Sequence, residues 1–237
     1  MDKLTRKELK SDKFALEVQH SVEYVSQHRR QMIQWGVIAV AVVLIAIGIF
    51  WYRGYRHDAR QEDMHAAMQV QNSTIGPSQS DYVVTFPTPE ARKKAVVKAW
   101  TDLLAKYPGT EEGDIAEFFL GTNAADDGNL PDAVKHFNAA IDSGNGPYAS
   151  EAKLALAQVY AAQGKVNDGV KLIQSVIDHP SVMVSKDAAI LAMGDLIKCS
   201  DPKRAHQLVD PLRTSTRPAI SKAAISLEGS LAQACTG

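Results

Sequence analysis

The sequence predicts an all-α chain in two parts, one N-terminal transmembrane helix followed by a solenoid of paired helices. Two observations carry this reading. From Trp35 to Tyr52 (WGVIAVAVVLIAIGIFWY) there is no charged or strongly polar side chain, and with Met32 and Ile33 the run reaches the ~20 residues that cross a bilayer as a helix. Further on, three segments align without gaps at starts 36 residues apart, GNLPDAVKHFNAAI from Gly128, GKVNDGVKLIQSVI from Gly164 and SDPKRAHQLVDPLR from Ser200.

The apolar run is read as an uncleaved signal anchor over residues 32–52. It is longer than the core of a cleaved signal peptide, starts after some thirty polar residues, and is followed by RGYRHDAR, which offers no small-x-small cleavage site. Trp35 at one edge and Trp51 and Tyr52 at the other lie where amphipathic rings favour the headgroup level, and Arg29, Arg30 and Arg53 bracket them. The segment before the span carries Lys3, Arg6, Lys7, Lys10, Lys13, Arg29 and Arg30, whereas the stretch after it carries Arg53, Arg56 and Arg60. This asymmetry predicts a cytoplasmic N-terminus and a C-terminal domain on the far side, the periplasm if the membrane is a bacterial inner membrane.

Residues 1–31 are polar but patterned. Phe14, Val18, Val22 and Val25 recur at helical spacing and predict an amphipathic helix over Asp12 to Arg29. Its apolar stripe either rests on the membrane surface or docks a partner, and the sequence does not divide the two. Residues 53–88 are read as a juxtamembrane helix in good helix formers, followed by a proline-rich linker (STIGPSQSDYVVTFPTP). Pro89 then opens a helix in its first turn, and residues 89–237 read as helix after helix.

The aligned segments match in chemistry as well as spacing. Ala133, Gly169 and Ala205 coincide, as do Phe137, Ile173 and Val209, and then Ala140, Val176 and Leu212. Leu120, Gly121 and Ala124 in the preceding helix match Leu156, Ala157 and Tyr160, and more loosely Ala192, Met193 and Leu196. A small residue lets two helix backbones approach, a large one fills the groove, and each pair leaves one face apolar until a neighbour covers it. This pattern, with Pro147 and Pro180 closing units, resembles the tetratricopeptide repeat. Val96, Trp100, Leu103 and Pro108 look like the second helix of an earlier unit, and the helix from about Pro218 to Ala234 reads as a C-terminal cap.

Composition excludes several function classes. A formal net charge of −1 without a long basic run argues against a nucleic-acid partner. No phosphate loop, nucleophile elbow or zinc-binding His pair is present, so no catalytic residue, cofactor, metal or small-molecule substrate is assigned and the chain is read as a non-enzyme. His57 and His65 lack a third ligand, and Asp126, Asp127, Gly128 and Asn129 are better read as a turn than as a calcium loop. Cys199 and Cys235, one repeat apart, are expected to be free thiols, since helices packed 8–10 Å apart hold Cα atoms beyond disulfide reach.

The architecture of cytoplasmic segment, signal anchor and exported tetratricopeptide array is similar to the bacterial ancillary Sec-translocon subunit family (YfgM-type). The resemblance implies association with the SecYEG channel and periplasmic chaperones, hence a scaffold or chaperone-adaptor; the alternative is a constitutive accessory subunit of a large inner-membrane complex. In tetratricopeptide folds the first helix of each unit lines the concave face. Since Leu120, Gly121, Leu156 and Ala157 must point inward, Glu117, Phe118, Lys153 and Gln158 are the expected partner-binding residues.

Overall fold

The computed structural model describes residues 29–77, 83–142 and 146–231. The amphipathic helix expected over Asp12 to Arg29 and the last residues, Cys235 included, lie outside them. The chain divides into two compact units, residues 1–59 and 60–237.

In the first unit, helix α1 (Arg29–Gln71) begins, and it runs unbroken through the apolar stretch. Its segment from Ile33 is long and apolar enough to cross a membrane. Trp35, Trp51 and Tyr52 are exposed, as is every described side chain of the apolar run. An apolar helix without a covered face suits a lipid environment and not an aqueous one. Arg30 is exposed, and Arg56 reaches back one turn to the Tyr52 hydroxyl at 3.3 Å and to its ring face at 5.8 Å.

The second unit is a succession of helices: the end of α1, α2 (Pro89–Lys106), α3 (Glu111–Asp126), α4 (Leu130–Asp142), α5 (Ala149–Ala162), α6 (Val166–Asp178), α7 (Lys186–Ile197), α8 (Pro202–Val209), a 3-10 turn (Asp210–Thr214) and α9 (Pro218–Leu231). Each helix from α2 to α8 packs on the next, and the odd-numbered helices also touch one another, α3 on α5, α5 on α7 and α7 on α9. That is the contact pattern of stacked helical hairpins. The helix starts are written in the sequence: Thr88, Thr110, Ser185 and Asp201 each accept a backbone N–H of the first turn, from Ala91, Gly113, Ala188 and Arg204.

The 36-residue register is structural. Ala133 and Ala205 have no exposed surface, Gly169 is buried with them, and Phe137, Ile173 and Val209 fill the grooves beside them. The turns at Gly128 and Gly164 repeat too. Both glycines adopt φ above +70°, Gly128 N–H and Asn129 N–H donate to the carbonyls of Ala125 and Ala124, and Gly164 and Lys165 donate to Ala161 and Tyr160 in the same way. The third unit departs from the pattern: Ser200 replaces the glycine, and Pro211, lacking an N–H, ends α8 at Val209, so that Leu212 is only half-buried in the 3-10 turn, unlike Ala140 and Val176.

The proline-rich stretch holds one feature the sequence reading did not include, a parallel two-residue ladder of β1 (Thr74–Ile75) and β2 (Thr85–Phe86) that closes the connection onto itself. The first hairpin is made of residues 60–71 of α1 and helix α2, so the repeat unit reaches into the stretch read as juxtamembrane helix. Ala67 is buried with Val96, Trp100 and Leu103. The Trp100 indole N–H donates to Gln71 Oε1 at 2.9 Å, and Arg92 donates to the carbonyls of Gln71 and Ser73. Asp63 accepts from the Tyr107 hydroxyl at 2.6 Å and pairs with Lys106. Glu112, nearly fully buried, accepts from Gln61 at 2.8 Å and lies 3.1 Å from Arg60 Nε in an ion pair whose N–H does not point along the contact. Burial pushes the Glu112 carboxyl up, but its own backbone N–H, Thr110, Arg60 and Gln61 outweigh that and hold it below the usual range.

Cys199 corrects the expectation of free thiols: it is disulfide-bonded, and the chain's one other cysteine is Cys235. The spacing argument treated both cysteines as lying on packed helices. Cys199 instead sits in the turn after α7, where side chains are not held at the helix-to-helix distance.

Candidate partner-binding surface

The odd-numbered helices α3, α5 and α7 lie side by side, and their outward residues form one surface. At the α3–α5 junction is a group of rings. Trp100 and Phe137 are fully buried, while Phe118, Phe119 and Tyr148 are half-buried. Phe119 stacks on Trp100 with centroids 4.4 Å apart and planes 8° from parallel. Phe118 packs against Tyr148 at 4.8 Å, Phe119 at 5.3 Å and Phe137 at 6.0 Å. The buried rings hold the half-buried ones in place, and a fixed aromatic edge that still meets solvent is what a binding anchor requires.

The structure separates the four residues expected to face a partner. Glu117 turns sideways: its carboxylate meets His136 Nδ1 of α4 at 2.6 Å, so it ties the hairpin together. Phe118 belongs to the ring group and is half-buried. Lys153 is half-buried and Gln158 is exposed. Of the span anchors, Arg30, Trp35, Trp51 and Tyr52 are exposed, and the Arg53 side chain lies outside the described residues.

Two residues of this surface escaped the sequence reading. Tyr148 stands at the N-terminal boundary of α5 without making a side-chain cap, which frees its ring for Phe118. Glu151, one turn on, is half-buried, and its Oε2 has no exposed surface and no hydrogen-bond partner. Burial pushes its carboxyl up, and only its own backbone N–H works against that.

A concavity of about 310 Å³ lies on the first hairpin, lined by Asp63, Ala66, Ala67, Val70, Asp102 and Lys106 among others. Both of its carboxylates are already engaged, Asp63 by Lys106 and Tyr107 and Asp102 by Lys98. Among the described residues no group of three or more His, Cys, Asp and Glu side chains forms a metal cluster.

No curated protein and no solved structure matches the chain. The family model of the tetratricopeptide repeat-like domain matches residues 31–187, from the start of the apolar run to the first turn of α7. With that match over more than half its length, and with hairpins stacked in a 36-residue register, the chain belongs to the tetratricopeptide repeat-like domain family.

Proposed function

We propose that this protein is a membrane-anchored interaction scaffold or chaperone-adaptor, which displays its repeat domain in the periplasm beside the Sec translocon. The observation that carries the reading is the half-buried ring edge of Phe118, Phe119 and Tyr148 on the odd-helix surface, held by Trp100 and Phe137. Family membership supports a protein partner, since tetratricopeptide-like domains generally mediate protein–protein interaction. The disulfide at Cys199 supports an oxidising compartment, the side to which the charge asymmetry assigns the domain. The likeness in architecture to YfgM-type proteins supports the translocon.

The test is recovery of the full chain from membranes in mild detergent. An adaptor brings down translocon subunits or periplasmic chaperones below equal amounts and loses them at raised salt; recovery as an equal component of one fixed complex supports the accessory-subunit alternative instead. Lys153→Glu and Gln158→Arg weaken capture without lowering the melting temperature. Phe118→Ala also weakens it but lowers stability as well, because the ring contacts three others. Full partner recovery with all three variants removes the odd-helix surface as the binding site.

A further inference from the structure

We propose that the connection between α6 and α7 is a membrane-contacting tip, whose Val182 and Met183 enter the headgroup region of the bilayer that holds the apolar run. The tip is separate from the odd-helix surface and rests only on the apolar run as a membrane span.

The tip is a built feature. Val182 is fully exposed and Met183 about half exposed, and among the described residues after 60 they are the only exposed large hydrophobic side chains consecutive in the chain. Val184, immediately after them, is buried with Ile173, Val176 and Ala189. Ser181 fixes the reversal between these positions: its N–H donates to the Val184 carbonyl and its hydroxyl accepts from the Val184 N–H, both at 3.0 Å. Ser185 then caps α7 by accepting from Ala188 N–H at 3.3 Å. With both ends tied, Val182 and Met183 are held away from the core.

A turn does not need these residue types. The connections into α3, α5 and α9 read PGT, SGNGP and STR, the small and polar residues and prolines that reversals favour, whereas the connection into α7 reads HPSVMVS. One exposed aliphatic side chain is ordinary; an adjacent pair on a hydrogen-bonded tip marks a contact.

The tip's place in the fold names that contact as lipid. Within the second unit the odd-numbered helices enter from one edge, since an antiparallel helix returns the chain between each pair. Arg60 and Gln61 of α1 meet Glu112 at the start of α3, and Arg217 before α9 meets Asp187 at the start of α7, so the tip shares its edge with residue 60. Arg60 follows Tyr52, the last residue of the apolar run, by eight positions, a path of at most about 30 Å whatever the chain between them does. The edge that carries the tip is thus the edge tethered to the bilayer. Two aliphatic side chains would not hold a free domain on a membrane. A tethered domain meets the surface at high effective concentration, so a weak second contact is enough to stop it pivoting. No carboxylate interrupts residues 179–186, and Lys186 is exposed where it can meet a lipid phosphate.

The experiment places the photo-crosslinker p-benzoylphenylalanine at His179 of the full chain, leaving the tip native, in liposomes of phosphatidylethanolamine and phosphatidylglycerol. Parallel samples carry it at Leu44, inside the apolar run, and at Lys165, in the α5–α6 turn at the opposite edge. Phospholipid adducts are measured by mass spectrometry after irradiation. Position 44 forms adducts, and position 179 forms about fivefold or more as many as position 165. Val182→Asp together with Met183→Asp brings position 179 down to the level of 165 without lowering the melting temperature. Equal yields at 179 and 165 overturn the tip. So does a yield at 179 that the aspartates leave unchanged, or adducts there with a second copy of the chain instead of lipid. Absence of adducts at 44 overturns the span, and the tip with it.

Discussion

Gly169 measures how closely α5 and α6 approach. A Cβ built there meets the backbone carbonyl oxygen of Ala157 at 2.8 Å and Leu196 Cδ2 at 3.1 Å. The leucine tip can rotate away, but the carbonyl belongs to the α5 backbone and yields only if the helix moves. In α9, by contrast, a Cβ at Gly229 meets nothing within 4 Å. Both substitutions to alanine gain the same helix preference, about 1 kcal/mol or less. Their difference therefore isolates overpacking at the α5–α6 crossing, about 1–3 kcal/mol. At roughly 2–4 °C per kcal/mol for a domain of this size, Gly169→Ala melts about 2–12 °C below Gly229→Ala. The assay is thermal unfolding of the full chain in mild detergent, followed by circular dichroism at 222 nm. Equal midpoints, or a higher one for Gly169→Ala, would refute the close crossing and with it the small-residue logic of the repeat register.

Ala133→Leu forces a bulky side chain into a position with no exposed surface, and it lowers the same midpoint by an amount matching about 1–3 kcal/mol. Glu112→Gln destabilises at pH 7 by about 1–3 kcal/mol, by weakening its contacts with Gln61 and Arg60, the latter partly solvent-screened. Because the folded Glu112 carboxyl is held below its ordinary value, its contribution is present above the unfolded value near 4.5 and is lost as pH falls through the folded one; acid titration of stability should be shallower in the variant. Peptide mapping without reductant recovers the Cys199 peptide in disulfide linkage, and a membrane-impermeant maleimide applied to intact cells leaves Ser11→Cys unlabelled.

The parts of the fold legible in the sequence are those where one residue type has one physical job. A small residue at 133, 169 and 205 and a large one at 137, 173 and 209 declare helix crossings, and all six are buried as read. Pro211 declares a break, but its effect on α8 was hidden by the alignment, which kept Leu212 in step with Ala140 and Val176 although the chain has left the α-helix there. The end of α1 was hidden for a different reason. Nothing local marks residues 60–71 as half of a hairpin; Gln71, Asp63, Arg60 and Gln61 acquire meaning only when Trp100, Tyr107 and Glu112 come to meet them from 29 to 52 residues away.

The proposed partner-binding surface was hardest to read because neither of its carboxylates is explained by its own helix. Glu117 looked free in sequence and is engaged by His136, a partner 19 residues on that helical periodicity does not foretell. Glu151 looked ordinary and is conspicuous because its Oε2 is buried without a hydrogen-bond partner. If the carboxylate were merely tolerated, replacing it by an isosteric amide would change only stability. Since the folded Glu151 carboxyl is raised, that stability is fully present below its unfolded value and falls as pH rises through the folded one. Glu151→Gln should therefore unfold at least as hard as the parent at pH 7 and lose this decline, which thermal unfolding of the two proteins across pH measures.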